Sequence, residues 1–400
     1  MQKVVLKNGL TILYYPKPSA AVVLQAMVKV GSNNETAAER GIAHFLEHIL
    51  FEGTAKRPTN RAITNEIERI GGDFNAYTTG DRTCFHIKVL QKQFPIAVDV
   101  LADMLQNSLF KPADITKEKN VVLKEIDLVY DDPRFYQWVL FQKHLFIKHP
   151  SRYPTYGDKK VIHKLTREKI IHYFRCYYRP NNIVISVVGD VPGWRREIQR
   201  KFRGKPAPTP RLAPVREPVA TKNQERREKK KVVNTYIVLG YKTVSRGHAD
   251  SYVFDVINGI LGRGQSGRLF TEIRAKKGLA YEVGSQQAAE LTAGYFAAYA
   301  SIDRKNVALV KKLILEELDK IKNVPAEEVQ EAKEFVEGDY LLDIEELPKL
   351  ADQLLFWEQV KDAQLVKEYV HRIRKVTVAD VQRVARTYFK NHACVVLEGK

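Results

Sequence analysis

TREKIIHYFRCYYRPNNIVISVV, residues 166–188, runs from a helical pattern through an aromatic pair into a β-branched strand. The same order returns at 377–396 as TVADVQRVARTYFKNHACVV. In both copies the aromatic pair, Tyr177 and Tyr178 or Tyr388 and Phe389, stands eleven and twelve positions after a threonine. A repeat at about 210 residues points to two copies of one domain, because solenoids repeat every ~20–50 residues. Between the copies, 204–231 (GKPAPTPRLAPVREPVATKNQERREKKK) holds five prolines and ends in a run of charge, with no apolar periodicity. Such a stretch is stiffened by proline and has no face to bury, which is linker chemistry. The expected organisation is a first domain over 1–203, a linker over 204–231 and a second homologous domain over 232–400.

Within each half, strands and helices mix without a βαβ beat. Residues 4–15 alternate around Asn8-Gly9, which predicts a β-hairpin with a type I′ turn. Residues 21–31, 232–243 and 292–302 read as strands. Val253, Val256, Ile257 and Ile260 recur at helical spacing, and 306–321 and 326–338 read as charged amphipathic helices. The expected fold class is α+β, with an antiparallel sheet packed with helices in each half.

The chain has 400 residues, 44% of them hydrophobic and 28% charged, which suits a folded soluble protein. No apolar run is long enough to span a membrane, and the N-terminus reads as a strand without a secretory leader. Three scattered cysteines (Cys84, Cys176, Cys394) give neither a disulfide framework nor a metal knuckle. These features together predict a cytoplasmic protein with no membrane partner. The net charge of +18 comes from Lys and Arg spread along the chain, apart from RREKKK at 226–231. A nucleic-acid-binding protein gathers its cations into one patch, so none is expected here. A solvated basic surface explains the charge, as does a preference for acidic partners.

The chemistry lies at GIAHFLEHILFEGT, 41–54. Ile42, Phe45, Leu46, Ile49 and Leu50 cover most of a helix, and Gly53 follows where a C-terminal cap belongs. His44 and His48 are four apart, so both lie on one face with Glu47 at its flank. Two imidazoles one turn apart can share a zinc ion, and a carboxylate beside them can take a proton from water held there. A third protein ligand is needed, and 114–132 offers candidates. There Glu118, Val122, Glu125 and Val129 share a helix face, and two unpaired buried carboxylates would be costly. A metal, or a histidine holding one, resolves that cost; a wet amphipathic face does so equally. GRGQSG, 262–267, matches G-x-G-x-x-G but follows a helical pattern instead of a strand, so no dinucleotide site is expected.

GIAHFLEHILFEGT resembles the inverted zinc motif of the pitrilysin/insulysin peptidases. LKNGLTILYYP, GGDFNAYTTGDRTCF, YYRPNNIVISVVGD and LGRGQSGRLFTEIRAKKGLAYEVGS extend the likeness along nearly the whole chain. Length and plan resemble the small two-domain branch that includes the mitochondrial processing peptidase and its bacterial relatives. In that family the third ligand is a glutamate 77 residues beyond the second histidine, which here is Glu125. Lys124 stands where the family commonly has a glutamate, next to the ligand position. The resemblance implies one zinc per chain on His44, His48 and Glu125, Glu47 as general base, and Glu118 supporting the site from behind. It implies that Asn75 and Ala76 pair with substrate backbone, and that Arg274 and Tyr281 contact substrate and stabilise the tetrahedral intermediate. The activity it implies is that of a zinc endopeptidase acting on unfolded peptides or precursors in a clamshell chamber. A homodimer would place Arg274 and Tyr281 across the subunit interface. The competing expectation is a non-catalytic scaffold of the same fold.

Overall fold

The computed structural model describes residues 1–210, 213 and 215–399. The first half of the chain carries β1 (Gln2–Val5), β2 (Thr11–Tyr15), β3 (Ala21–Val28), α1 (Ile42–Ile49), α2 (Asn60–Glu68), β4 (Asp73–Thr78) and β5 (Thr83–Leu90). It continues through α3 (Phe94–Asn107), α4 (Pro112–Asp131), α5 (Pro133–Leu145), α6 (Lys159–Lys164), α7 (Arg167–Tyr177), β6 (Ile183–Val188) and α8 (Trp194–Lys201). The second half carries β7 (Gln224–Lys229), β8 (Thr235–Thr243), α9 (Asp250–Gly262), β9 (Ala280–Ala289), β10 (Gly294–Ile302), α10 (Val307–Lys320) and α11 (Ala326–Asp343). It ends with α12 (Leu347–Val360), α13 (Leu365–Arg374), α14 (Val378–Tyr388) and β11 (Ala393–Glu398).

The two sheets share one topology over five strands, as the α+β expectation of homologous halves requires, and β1 is an addition to the first. The first has the order β1-β2-β6-β3-β5-β4 and the second β7-β11-β8-β10-β9. β2 runs parallel to β6, β7 runs parallel to β11, and the other pairings are antiparallel. The helix–strand repeat that revealed the duplication is built alike in both copies. Thr166 caps α7 by accepting from the Lys169 amide, and Thr377 caps α14 by accepting from that of Asp380. The second aromatic of each pair ends its helix with nearly the same backbone, Tyr178 at ψ 62° and Phe389 at ψ 61°.

The contiguous division at 1–203 and 232–400 does not describe the compact units. The first unit comprises Met1–Asp127, Pro154–Ala213 and Asp343–Val366, and the second comprises Leu128–Tyr153, Pro214–Leu342 and Lys367–Lys400. Each sheet has a second face to cover, and the helix that covers it comes from the other half of the sequence. In the first unit α12 lies on β6 and β3 and buries Leu350, Leu354, Leu355 and Trp357. In the second, α5 lies on β11 and β8 and buries Leu140, Phe141 and Leu145. Burial on both faces explains why all six residues of IVISVV in β6 and of ACVVLE in β11 are buried. The helices that carry the chemistry pack on the opposite face of the first sheet. The core there joins Val22, Leu24 and Ala26 of β3 to Phe45 and Leu46 of α1.

Two local expectations need correction. The stretch 204–231 is not all linker, since QERREK at 224–229 forms the edge strand β7 beside β11. Its exposed charges are what an edge strand carries to resist further pairing. The hairpin at Asn8-Gly9 is not type I′, which needs φ > 0 at both residues. Only Gly9 has it, at 83°, and the loop closes through Gly9 N to Leu6 O (2.9 Å) and Leu6 N to Leu10 O (2.9 Å). That is a three-residue loop with glycine in the left-handed position.

Candidate metal centre

Helix α1 places the histidines because its apolar residues leave them no other face. Ile42, Ala43, Phe45, Leu46 and Ile49 are buried, which turns His44 and His48 together toward α4, their ring centroids 4.7 Å apart. The helix begins at Gly41, whose φ is 94° and where a Cβ would stand 2.7 Å from the Tyr156 carbonyl oxygen. Glu35 caps it, its carboxylate accepting from the amides of Gly41 (2.7 Å) and Ala43 (2.9 Å). Burial pushes this carboxyl up to about 8, against the pull of those two amides. The helix stops at Ile49 with Leu50 as its cap, short of Gly53. The carbonyl of Gly53, whose φ is 151°, instead accepts from the Leu109 amide at 3.1 Å.

Helix α4 supplies two carboxylates. Glu125 Oε2 lies 3.3 Å from His48 Nε2 and 3.8 Å from His44 Nε2. One ligand atom from each of His44, His48 and Glu125 lies within 4.8 Å of the others, the only such His/Cys/Asp/Glu group among the described residues. Glu118 is buried, with Oε2 3.3 Å from His48 Nδ1 and Oε1 3.5 Å from Lys117 Nζ. A carboxylate on Nδ1 fixes the imidazole orientation and leaves Nε2 free to face a metal. The two glutamates on one helix face are thus both partnered, and both through His48.

The donor chemistry fits a divalent cation. Burial and the neighbouring His48 push His44 down to about 4, so it is neutral and has a ring-nitrogen lone pair to offer a metal. Its Nδ1 is buried without a hydrogen-bond partner among the described residues. Burial also works against charge on His48, but Glu118 and Glu125 outweigh it and push its pKa up to about 10. A dication among these groups replaces the proton that the carboxylates otherwise draw onto His48. Glu47 stands beside the group with its pKa raised by burial, while the Thr78 hydroxyl, donating to Oε2 at 2.6 Å, pulls the other way.

Thr78 belongs to β4, the edge of the first sheet, which also carries Asn75 and Ala76. Asn75 is exposed, and its Oδ1 accepts from the Ala76 amide at 2.8 Å. The strand is held from the other face of the sheet by Asp352 of α12. That carboxylate accepts from the Tyr77 hydroxyl, from Gln25 Nε2 (3.0 Å) and from Arg82 Nη2 (3.0 Å). Sequence reading missed Glu35, Thr78 and Asp352, because each acts through a contact that no local spacing announces.

Arg274 and Tyr281 belong to the second unit. Arg274 is exposed in a π-helical turn, Phe270–Ala275, its guanidinium 5.1 Å from the Phe270 ring centroid. Tyr281, the second residue of β9, is 60% exposed, its hydroxyl 3.5 Å from Asp303 Oδ1. Both present donors at the surface of their unit. GRGQSG begins at the last residue of α9 and continues into helical turns, away from any strand end.

Residues 11–157 match the profile of the insulinase family of peptidases (family M16), and 164–336 match the domain described as the peptidase M16 inactive domain. An uncharacterized zinc protease of Streptomyces coelicolor is 31% identical over 96% of this chain and 86% of its own length. One from Bacillus subtilis is 29% identical over 98% and 96%. Among solved structures, a protease from Helicobacter pylori superposes with a TM-score of 0.93 at 25% identity over 99% of both chains. The peptidase M16 inactive domain structure from Pseudomonas fluorescens gives 0.89 at 21% identity, a likeness of fold. With a two-sheet fold shared across its length and a 31% identical relative along 96% of it, this chain belongs to the insulinase family of peptidases, in its small two-domain branch.

Proposed function

We propose that the protein is a zinc-dependent endopeptidase that hydrolyses unfolded peptides. The observation that carries this reading is the convergence of His44, His48 and Glu125 within 4.8 Å, beside a buried Glu47. Zinc bound there, one per chain, supplies Lewis acidity to the scissile carbonyl and to water. Glu47 takes the proton from the attacking water and returns it to the leaving amine. With Oε2 engaged by Thr78, Oε1 is the oxygen left for that transfer. The β4 edge receives an extended substrate through main-chain hydrogen bonds at Asn75 and Ala76, so sequence demands are loose. Because Thr78 lies on the same strand, a peptide paired with β4 is placed in register with the base. Arg274 and Tyr281 donate to the developing oxyanion, reaching it from the partner subunit of a homodimer.

The family's "inactive domain" description covers 164–336, and α9, which stands where α1 stands in the repeat, has no His-x-x-Glu-His. This favours one catalytic centre per chain, in the first half. The test is digestion of a diverse peptide library by the wild type and by Glu47→Gln, with cuts mapped by mass spectrometry. Cuts by the wild type alone support the reading; a zinc-loaded wild type that leaves the library intact favours a non-catalytic scaffold. Mixing Glu47→Gln with Tyr281→Phe subunits tests the dimer. Recovered activity supports sites shared between subunits, and no recovery places each site within one chain.

A further inference from the structure

In the first unit a cavity of about 520 Å³ opens at the C-terminal end of α3. Along its wall α7 presents Arg167, Ile171, Phe174 and Arg175 at helical spacing, ending at Tyr178. Arg179 and Lys205 complete a cationic rim over an apolar floor that includes Phe202 and Ile183. No carboxylate lines the cavity, and none of its four cations is ion-paired among the described residues. Arg167 is held in place, its Nε donating to the Phe110 carbonyl at 2.7 Å. Phe110 has φ 50°, the only positive value for a non-glycine among the described residues and a strained one for a bulky side chain.

A cavity in the second unit shares two equivalent positions with this one and has a different charge balance. A space of about 750 Å³ lies beside α10 and the end of α14, with Phe389 and Lys390 standing where Tyr178 and Arg179 stand. There Lys311, Lys312, Lys320 and Lys322 pair with Glu225, Glu316, Glu317 and Asp319. The second cavity largely neutralises its own charge. The first does not, and an unbalanced cationic rim concentrates anions at its mouth.

We propose that the cavity of the first unit binds a small amphipathic anion, an apolar chain ending in a carboxylate or a phosphate. Its size lies in the ~300–1,000 Å³ range of small-molecule sites, and an apolar floor below convergent cations matches both ends of such a molecule. The inference does not rest on the peptidase reading. The test is calorimetric titration of the full chain with laurate and dodecyl phosphate below their micellar concentrations, beside dodecanol and inorganic phosphate. At least one amphiphile should bind at least ~10-fold tighter than dodecanol or phosphate, and the tighter of the two identifies the head group. Arg175→Gln with Arg179→Gln should weaken it at least ~10-fold, and Ile171→Trp, which fills the floor and keeps the cations, should do the same. Unchanged thermal unfolding of the variants keeps the comparison valid. Absence of amphiphile binding, equal binding by dodecanol, or unchanged binding in either variant overturns the proposal.

Discussion

Replacing Arg57 with alanine should cost the first unit about 3–5 kcal/mol, the scale for breaking a buried ion pair by removing one partner. The side chain is 2% exposed and bonds three carboxylates: Asp103 at 2.7 Å, Asp99 at 2.6 Å and Glu66 at 2.7 Å. They do not suffer equally from its loss. Asp99 keeps Lys56 and Lys201, and Glu66, at 31% exposure, rehydrates. Asp103 is buried and, among the described residues, retains only the neutral donors Thr54 Oγ1 (2.5 Å) and Asn107 Nδ2 (3.0 Å). The cost therefore concentrates on one stranded carboxylate, and Asp103→Asn should relieve it. Urea unfolding of Arg57→Ala, Asp103→Asn and the double variant closes the cycle, with a coupling of ~0.5–3 kcal/mol expected for groups in direct contact. Additive single effects, or a loss below about 1 kcal/mol for Arg57→Ala, would mean that the cluster behaves as a solvated surface network instead of a buried one.

Burial also works against the charge on Asp99, but Lys201, Lys56 and Arg57 hold its carboxyl well below the usual range. A depressed carboxylate contributes stability that is complete above the unfolded value of ~3.9 and is lost as pH falls toward the folded one, so acid unfolding should begin below about pH 4 and flatten in Asp99→Asn. Glu118→Gln should lower zinc affinity ~10–100-fold in competition with a chelating dye, because His48 loses its orienting carboxylate. Glu47→Gln should leave that affinity nearly unchanged while abolishing cleavage. Asp352→Ala should cost about 1–3 kcal/mol and speed amide exchange across residues 73–78, because Tyr77 and Arg82 lose their common acceptor. Unaltered exchange there would mean that β5 alone holds the edge strand.

The duplication was legible because it is written in local chemistry. A threonine cap, an apolar helix stripe, an aromatic pair and a β-branched run each act within a few residues, and Tyr178 and Phe389 end their helices with matching backbone angles. The histidine pair was legible for the same reason, four residues apart on an otherwise apolar helix. Glu118 and Glu125 were narrowed to one helix face by spacing, and only the family likeness singled out Glu125 as a ligand. β7 was missed because an edge strand and a charged linker have the same composition, and QERREK satisfies both descriptions.

The exchanged helices show where sequence reading stops for a physical reason. α5 and α12 each carry an apolar stripe that fixes burial, but a stripe does not name the sheet that buries it. Both sheets offer the same site, a parallel pair at one side and two largely buried central strands, β6 and β3 or β11 and β8. What distinguishes them are polar groups within those surfaces. Asp352 of α12 meets Gln25, Tyr77 and Arg82 on the first sheet, whereas Tyr136 of α5 meets Glu228 of β7 on the second. Moved to the other sheet, Asp352 would leave Gln25, Tyr77 and Arg82 behind, a loss of partners worth ~1–3 kcal/mol. Apolar periodicity thus decides that these helices are covered, and a few half-buried hydrogen bonds between residues far apart in sequence, 275 positions for Tyr77 and Asp352, decide by what.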